Sequence, residues 1–421
     1  MELSLVLIFI LGYTAISFEH LLRIDKLIPA LLMMTLSWAL IALNASDIKA
    51  QSDELLQHFG ETVEILIFLM GAMAIVEIID YFDGFKSFQS LIKARTAYQL
   101  LVVVSVLAFV LSAIIDNLTT TIVMISILRK MVPDKELRMW MAGFVIIAAN
   151  AGGAWSPIGD VTTTMLWMAG KVSALKLIKH IFLPAVVSLL VPLLLAKSIK
   201  IFKKDLLPSE GIEKNKVAGF ILISGLVLII FVPIFKTITH LPPYMGMMFS
   251  LSIFAIIGEL ASKRQLNLSS PHEQNYDGHK GPTLKALSKI DIPSILFFLG
   301  ILMTVAGMEN LGMIKQLGEN VLASGISKEL YISFLGLASA IIDNVPLVAA
   351  SIDMFTDGLD ADAWHFIAYT AGTGGSILII GSAAGVVAMG MENIGFGWYL
   401  KRFSLLALAG YFSGVLTFLT L

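Results

Sequence analysis

Stretches of about 20 mostly apolar residues, the length a helix needs to cross a bilayer, recur along the chain between short charged clusters. Uninterrupted ones cover approximately 2–18, 27–44, 61–80, 180–197, 217–236, 242–262, 291–309 and 397–421. Four others are interrupted. Regions 98–131 and 328–356 each carry an Asp-Asn pair and a polar or proline-containing knot near the middle, the pattern of a re-entrant helical hairpin. Regions 137–170 and 362–391 are each broken by a run rich in Gly and Ser/Thr, which predicts discontinuous helices.

The interruptions are repeated. Ser112-Ala113-Ile114-Ile115-Asp116-Asn117 returns as Ser339-Ala340-Ile341-Ile342-Asp343-Asn344 at an offset of 227. Gly152-Gly153 and Gly159 return as Gly374-Gly375 and Gly381 at an offset of 222. Three divisions follow: a first half over 1–200, connecting helices and cytoplasmic loops over 201–290, and a second half over 291–421. Most of the 29 Lys and Arg fall on one side if the N-terminus lies outside and each knotted region returns to its own side. The first hairpin then enters from inside and the second from outside. The expected fold is therefore an all-α polytopic membrane protein with inverted-topology repeats, each holding one re-entrant hairpin and one discontinuous transmembrane helix.

Composition agrees with a chain that lives in lipid. Only 14% of the residues are charged, against about 25% in soluble domains. The absence of Cys excludes disulfides and thiolate metal sites, and a net charge of −2 gives no reason to expect nucleic acid as a partner. No phosphate-binding GxxxxGK[ST] loop, HExxH spacing or nucleophile–base pair is visible, so an enzyme is the least favoured class and an ion gradient is the simplest energy source.

The breaks gather oxygen donors. The first knot reads Asp116-Asn117-Leu118-Thr119-Thr120-Thr121, and the first break runs from Asn150 through Asp160 to Thr162 and Thr163. The second half offers Asp343-Asn344, then Gly372-Thr373-Gly374-Gly375-Ser376 and Ser382. Unwound backbone, neutral side-chain oxygens and carboxylates together suit a hard cation such as sodium, with which lithium would compete. Ionisable groups within the apolar segments are almost all acidic, which disfavours an anion as cargo. In a poorly hydrated cavity a carboxylate holds a proton more readily, and bound sodium opposes protonation of the same oxygen. Such a site exchanges one ion for the other. Asp116 and Asp343 are the expected exchanging carboxylates, with Asp160 beside them. Asn117, Thr119, Thr120, Asn150, Thr162, Thr163, Asn344, Ser376 and Ser382 are the candidate coordinating groups, and Glu64, Glu77 and Glu309 could form a proton path. Each Asp or Asn at a helix start could instead serve as a cap, but an Asp in both knots favours function because charge inside a membrane is costly. Glu61, Asp80 and Asp353 read as solvated groups near segment ends.

At Ser112–Thr121, Asn150–Trp167, Ser339–Pro346 and Gly372–Gly390, four ordered motifs, the chain resembles the NhaD-type sodium/proton antiporters of the ion transporter superfamily. The resemblance implies a bacterial inner-membrane carrier, N-terminus periplasmic, that exchanges sodium or lithium for protons, needs no cofactor and forms a homodimer. Related carriers take arsenite or di- and tricarboxylates. Those for carboxylates show Ser-Asn-Thr at the tips, where this chain has Asp-Asn-Leu-Thr and Asp-Asn-Val-Pro, a departure that favours a cation. An anion carrier for arsenite or a carboxylate, with sodium at the tips as co-substrate, and a channel or non-transporting scaffold stay open as alternatives.

Overall fold

The computed structural model describes residues 1–17, 22–92, 94–205, 216–268, 281–323, 325–341 and 344–421, and the described residues are helical apart from turns and an isolated bridge between Thr96 and Asp205. The first half holds α1 (Glu2–Ser17), α2 (Leu27–Asn44), α3 (Ile48–Tyr81), α4 (Ala97–Ser112), α5 (Asn117–Met131), α6 (Lys135–Ala154), α7 (Val161–Met168) and α8 (Ala174–Ala196). Then come α9 (Lys216–Thr239), α10 (Pro243–Leu268) and α11 (Pro282–Leu287). The second half holds α12 (Ile292–Asn310), α13 (Met313–Ala323), α14 (Lys328–Ala338), α15 (Asn344–Met354), α16 (Asp362–Gly374), α17 (Ala383–Glu392), α18 (Phe396–Arg402) and α19 (Ser404–Thr420).

Seven helices among the described residues are long and apolar enough to cross a membrane, and the pair α18 and α19, bent by 52°, makes an eighth. The four interrupted regions divide where the sequence predicts. Region 98–131 breaks between Ser112 and Asn117, 137–170 between Ala154 and Val161, 328–356 between Ala338 and Asn344, and 362–391 between Gly374 and Ala383. One boundary differs. The span expected to start near 61 begins at Ile48, because Asp47 accepts the Lys49 and Ala50 N–H groups and starts the helix thirteen residues early.

Helix packing places the short pieces together. α4 and α5 lie on α6, α14 lies on α16, and α17 packs on both α5 and α6. The contacts that hold them recur at the offsets of the sequence repeat. Ser112 Oγ donates to the Ala149 carbonyl at 2.6 Å, and Ser339 Oγ donates to the Ala371 carbonyl at 2.9 Å. Gly152 packs on the Phe109 carbonyl and Gly374 on the Gly336 carbonyl, so closely that a Cβ at either glycine would collide with backbone. Around this assembly, α2 packs along α12, and α3 runs beside α10 and α12.

Two polar clamps close the ends. Glu392, buried at the end of α17, receives Arg129 Nε at 2.8 Å and Arg138 Nε at 3.1 Å, which ties α17 to the end of α5 and the start of α6. Asp360, left-handed at φ 60° in the turn before α16, accepts the Ser173 N–H at 2.6 Å and lies 3.7 Å from the Lys176 ammonium. Burial opposes ionisation of Asp360, but the Ser173 N–H, Lys176 and His365 outweigh it and hold its carboxyl below the ordinary range.

A carboxyl depressed in this way stabilises the fold above its unfolded value of about 3.9, and the contribution fades as pH falls through the folded value. Asp360→Asn is therefore expected to lower the melting temperature of the detergent-solubilised protein at pH 7 and to flatten the acid side of its stability profile. Glu392→Gln removes one charge from a triad whose Arg129 reaches water, with an expected cost of about 1–3 kcal/mol in the same melting assay. A melting temperature unchanged by Glu392→Gln would show that the triad contributes nothing to stability.

Candidate functional site

Three of the helix starts that meet at the breaks carry a short oxygen side chain, and they use it differently. Asp116 caps α5: Oδ1 accepts the Thr119 N–H and Oδ2 accepts the Thr119 hydroxyl, each at 2.7 Å. Ser382 caps α17 by accepting the Gly385 N–H at 3.3 Å. Asp160 stands at the start of α7 and makes no side-chain cap. Its Oδ2 accepts instead from Asn344 Nδ2 at 3.2 Å, across the two halves of the chain. Capping thus accounts for part of what Asp116 does, whereas the Asp160 side chain makes no cap bond and meets Asn344.

A second polar string runs alongside. Asn117 Nδ2 donates to Asn150 Oδ1 at 3.0 Å, and Asn150 Nδ2 donates to Ser382 Oγ at 2.9 Å. Asn117, Asn150, Asp160, Asn344 and Ser382 are all buried. A cavity of about 80 Å³ opens on Asp116, Asn117, Asp160 and Asn344, walled by apolar side chains that include Phe68, Ile229 and Phe298. Its basic lining residue is Lys26, whose ammonium sits 4.4 Å from the centre of the Phe297 ring.

Other candidates are spent locally. Thr163 Oγ1 donates to the Asp160 carbonyl at 2.9 Å, and Ser376 Oγ to the Thr373 carbonyl at 2.7 Å. The Thr120 and Thr162 hydroxyls are buried without a hydrogen-bond partner. Asp343 lies outside the described residues. Among the described residues no three His, Asp or Glu side chains converge closely enough to hold a metal ion, so any cation here would rely on amide, hydroxyl and carbonyl oxygens beside the carboxylates.

A second cavity, of about 410 Å³, is acidic. Glu61, Glu64, Glu309 and Asp353 line it with His58 and Lys171, and His58 Nδ1 stands 3.8 Å from Glu309 Oε2. Glu61 and Asp353, read from sequence as solvated ends, thus share one chamber with Glu64 and Glu309. Glu77 is elsewhere, 3.9 Å from the Lys289 ammonium. Between the two cavities lies an apolar layer of Met165, Leu302, Val305, Val345 and Ala349. Sequence reasoning had no means to find this chamber: its acids come from α3, α12 and α15, and nothing in their spacing announces that they meet.

Comparison with known proteins gives this geometry a setting. The citrate transporter family matches residues 7–374. Sodium/proton antiporter 1 of Arabidopsis thaliana is 42% identical over 425 residues, covering 99% of this chain and 72% of that protein. Sodium/proton antiporter 2 of the same plant is 40% identical, covering 98% of each. The Na(+)/H(+) antiporter NhaD of Vibrio cholerae is 31% identical over 411 residues, covering 92% of this chain and 84% of its own length. The chain therefore belongs to the citrate transporter family, as a relative of its NhaD-type sodium/proton antiporters.

Proposed function

We propose that this protein exchanges sodium, and lithium in its place, for protons across the bacterial inner membrane by alternating access. The observation that carries the reading is the buried Asp160 carboxylate, joined to Asn344 from the other half of the chain and turned away from the capping role its position offers. A buried carboxylate beside neutral amide side chains suits a cation that a proton can replace. Asp116 opens on the same cavity, and Asp343 precedes Asn344 in the sequence as Asp116 precedes Asn117. The names of the relatives support sodium and protons as the cargo.

The helix lengths and the cavities support alternating access. At 1.5 Å per residue the pieces α4, α5, α14 and α15, of 16, 15, 11 and 11 residues, are each shorter than a hydrocarbon core of about 30 Å. They suit two re-entrant hairpins in inverted repeats, with the N-terminus on the periplasmic side. The apolar layer between the acidic chamber and the Asp160 cavity keeps the two apart, so cargo passes only when the helices that bear it shift against α12. A homodimer would hold the surrounding helices still during that shift.

The family's description raises citrate as a second cargo. A tricarboxylate would face Asp116 and Asp160 in a cavity with one lysine, already engaged over an aromatic ring, and carboxylates repel.

In everted vesicles, sodium or lithium chloride is expected to collapse a preformed pH gradient. Asp160→Asn and Asp116→Asn should each cut that flux by about 100-fold, equivalent to about 3 kcal/mol of lost ion binding. Citrate uptake without sodium-driven proton movement would sink the proposal in favour of the anion carrier. Among the acidic residues, Glu64→Gln and Glu309→Gln should slow exchange, whereas Glu77→Gln, whose carboxylate stands beside Lys289, should leave the initial rate within about twofold. The reverse ranking would move the proton path out of the acidic chamber.

A further inference from the structure

The two halves build the same backbone frame but set different side chains into it at two places. By the offsets of the repeat, Asn117 corresponds to Asn344, Asp160 to Ser382, and Asn150 to Gly372. The frame is shared in detail: Gly153 packs on the Gly159 carbonyl as Gly375 packs on the Gly381 carbonyl, and Gly159 packs on Ala113 as Gly381 packs on Ala340. Equivalent positions can therefore be compared atom by atom.

Asn344 reaches Asp160 directly, Nδ2 to Oδ2 at 3.2 Å. The matching pair, Asn117 and Ser382, is joined through a third residue. The Asn150 amide lies between them, accepting from Asn117 on one side and donating to Ser382 on the other at 3.0 and 2.9 Å. At the position equivalent to Asn150 the second half has Gly372, which has no side chain to insert. A Cβ added to Gly372 would lie 3.6 Å from Asp160 Oδ2 and 3.0 Å from the Ala154 Cβ. The amide that bridges two residues in one half has no counterpart beside the carboxylate in the other, where Ala154 comes close instead.

We infer that the described residues build a single cation site, at Asp160 and Asn344 beside Gly372, and that the Asn150 amide permanently occupies its counterpart between Asn117 and Ser382. The inference rests on the exchange of cations proposed above and adds the number of ions held. Replacement of the carboxylate by Ser382 removes the negative charge that a cation at the counterpart would need. The amide thus supplies internally the cross-link that sodium supplies at the other place.

Calorimetric titration of the purified, detergent-solubilised chain with sodium chloride reads the count without any variant. One sodium per chain is expected, with exchange that depends hyperbolically on sodium. Gly372→Ala should weaken sodium binding by about tenfold or more, since its methyl group would crowd Ala154 and stand 3.6 Å from Asp160 Oδ2. The pair Asn150→Gly with Ser382→Asp should add a second bound sodium. Two sodium ions per wild-type chain, or a Gly372→Ala protein that elutes as the wild type does and binds sodium with unaltered affinity, would overturn the single site. Reconstituted vesicles from the same preparation separate the two failures. Sodium-driven proton flux with two ions bound refutes only the count, whereas no such flux refutes the proposed exchange itself.

Discussion

A helix that stops away from water must find partners for its terminal N–H and carbonyl groups, and this requirement organises everything around the four breaks. Serine hydroxyls at 112 and 339 serve carbonyls of the neighbouring helices, while Asp116 and Ser382 serve N–H groups at helix starts. Once those obligations are met, the groups left over are conspicuous. Asp160 sits at a helix start and caps nothing with its side chain. Its partner Asn344 comes from a piece of chain 184 residues away, and this is one of several contacts that tie the halves together.

Electrostatics around this centre is arranged in layers. Carboxylates face two cavities, and an apolar layer one or two side chains thick lies between. Fixed charge pairs are kept at the ends of the helices, in the Glu392 triad and at Asp360. Arg129 and Arg138, at the end of α5 and the start of α6, are engaged by Glu392, and Lys26 is the basic residue lining the cavity beside Asp160. Positive side chains do occur at the rims, where Lys26 and Lys236 stand over the rings of Phe297 and Trp167.

Much of this was legible in the chain itself. The Asp-Asn pairs and glycine runs mark all four breaks, because a polar knot in an apolar segment has few other uses in a membrane. Asn117, Asn150, Asp160, Asn344 and Ser382 could be named as one group because the repeat brought them into register. What the residues do with one another was not legible. Linear spacing does not distinguish a capping Asp116 from a non-capping Asp160, since both precede a Thr-rich helix start. Nor does it reveal Gly372, whose contribution is the side chain it lacks, or the acidic chamber, whose members lie on helices distant in sequence. The Glu392 triad escaped for a similar reason: its arginines lie more than 250 residues before it.

Where Gly152 meets Phe109 and Gly374 meets Gly336, backbone lies directly against backbone between the short pieces and the broken helices. Backbone against backbone does not slide in small steps, because each carbonyl is seated on a Cα and any shear would lift it over the next residue. In the exchange proposed above, the parts that bear the cargo would travel as one block, with the resistance to travel at the outside of that block, in the lipid it displaces. Turnover in such a carrier is coupled to the thickness and fluidity of its bilayer as much as to the strength with which it grips an ion.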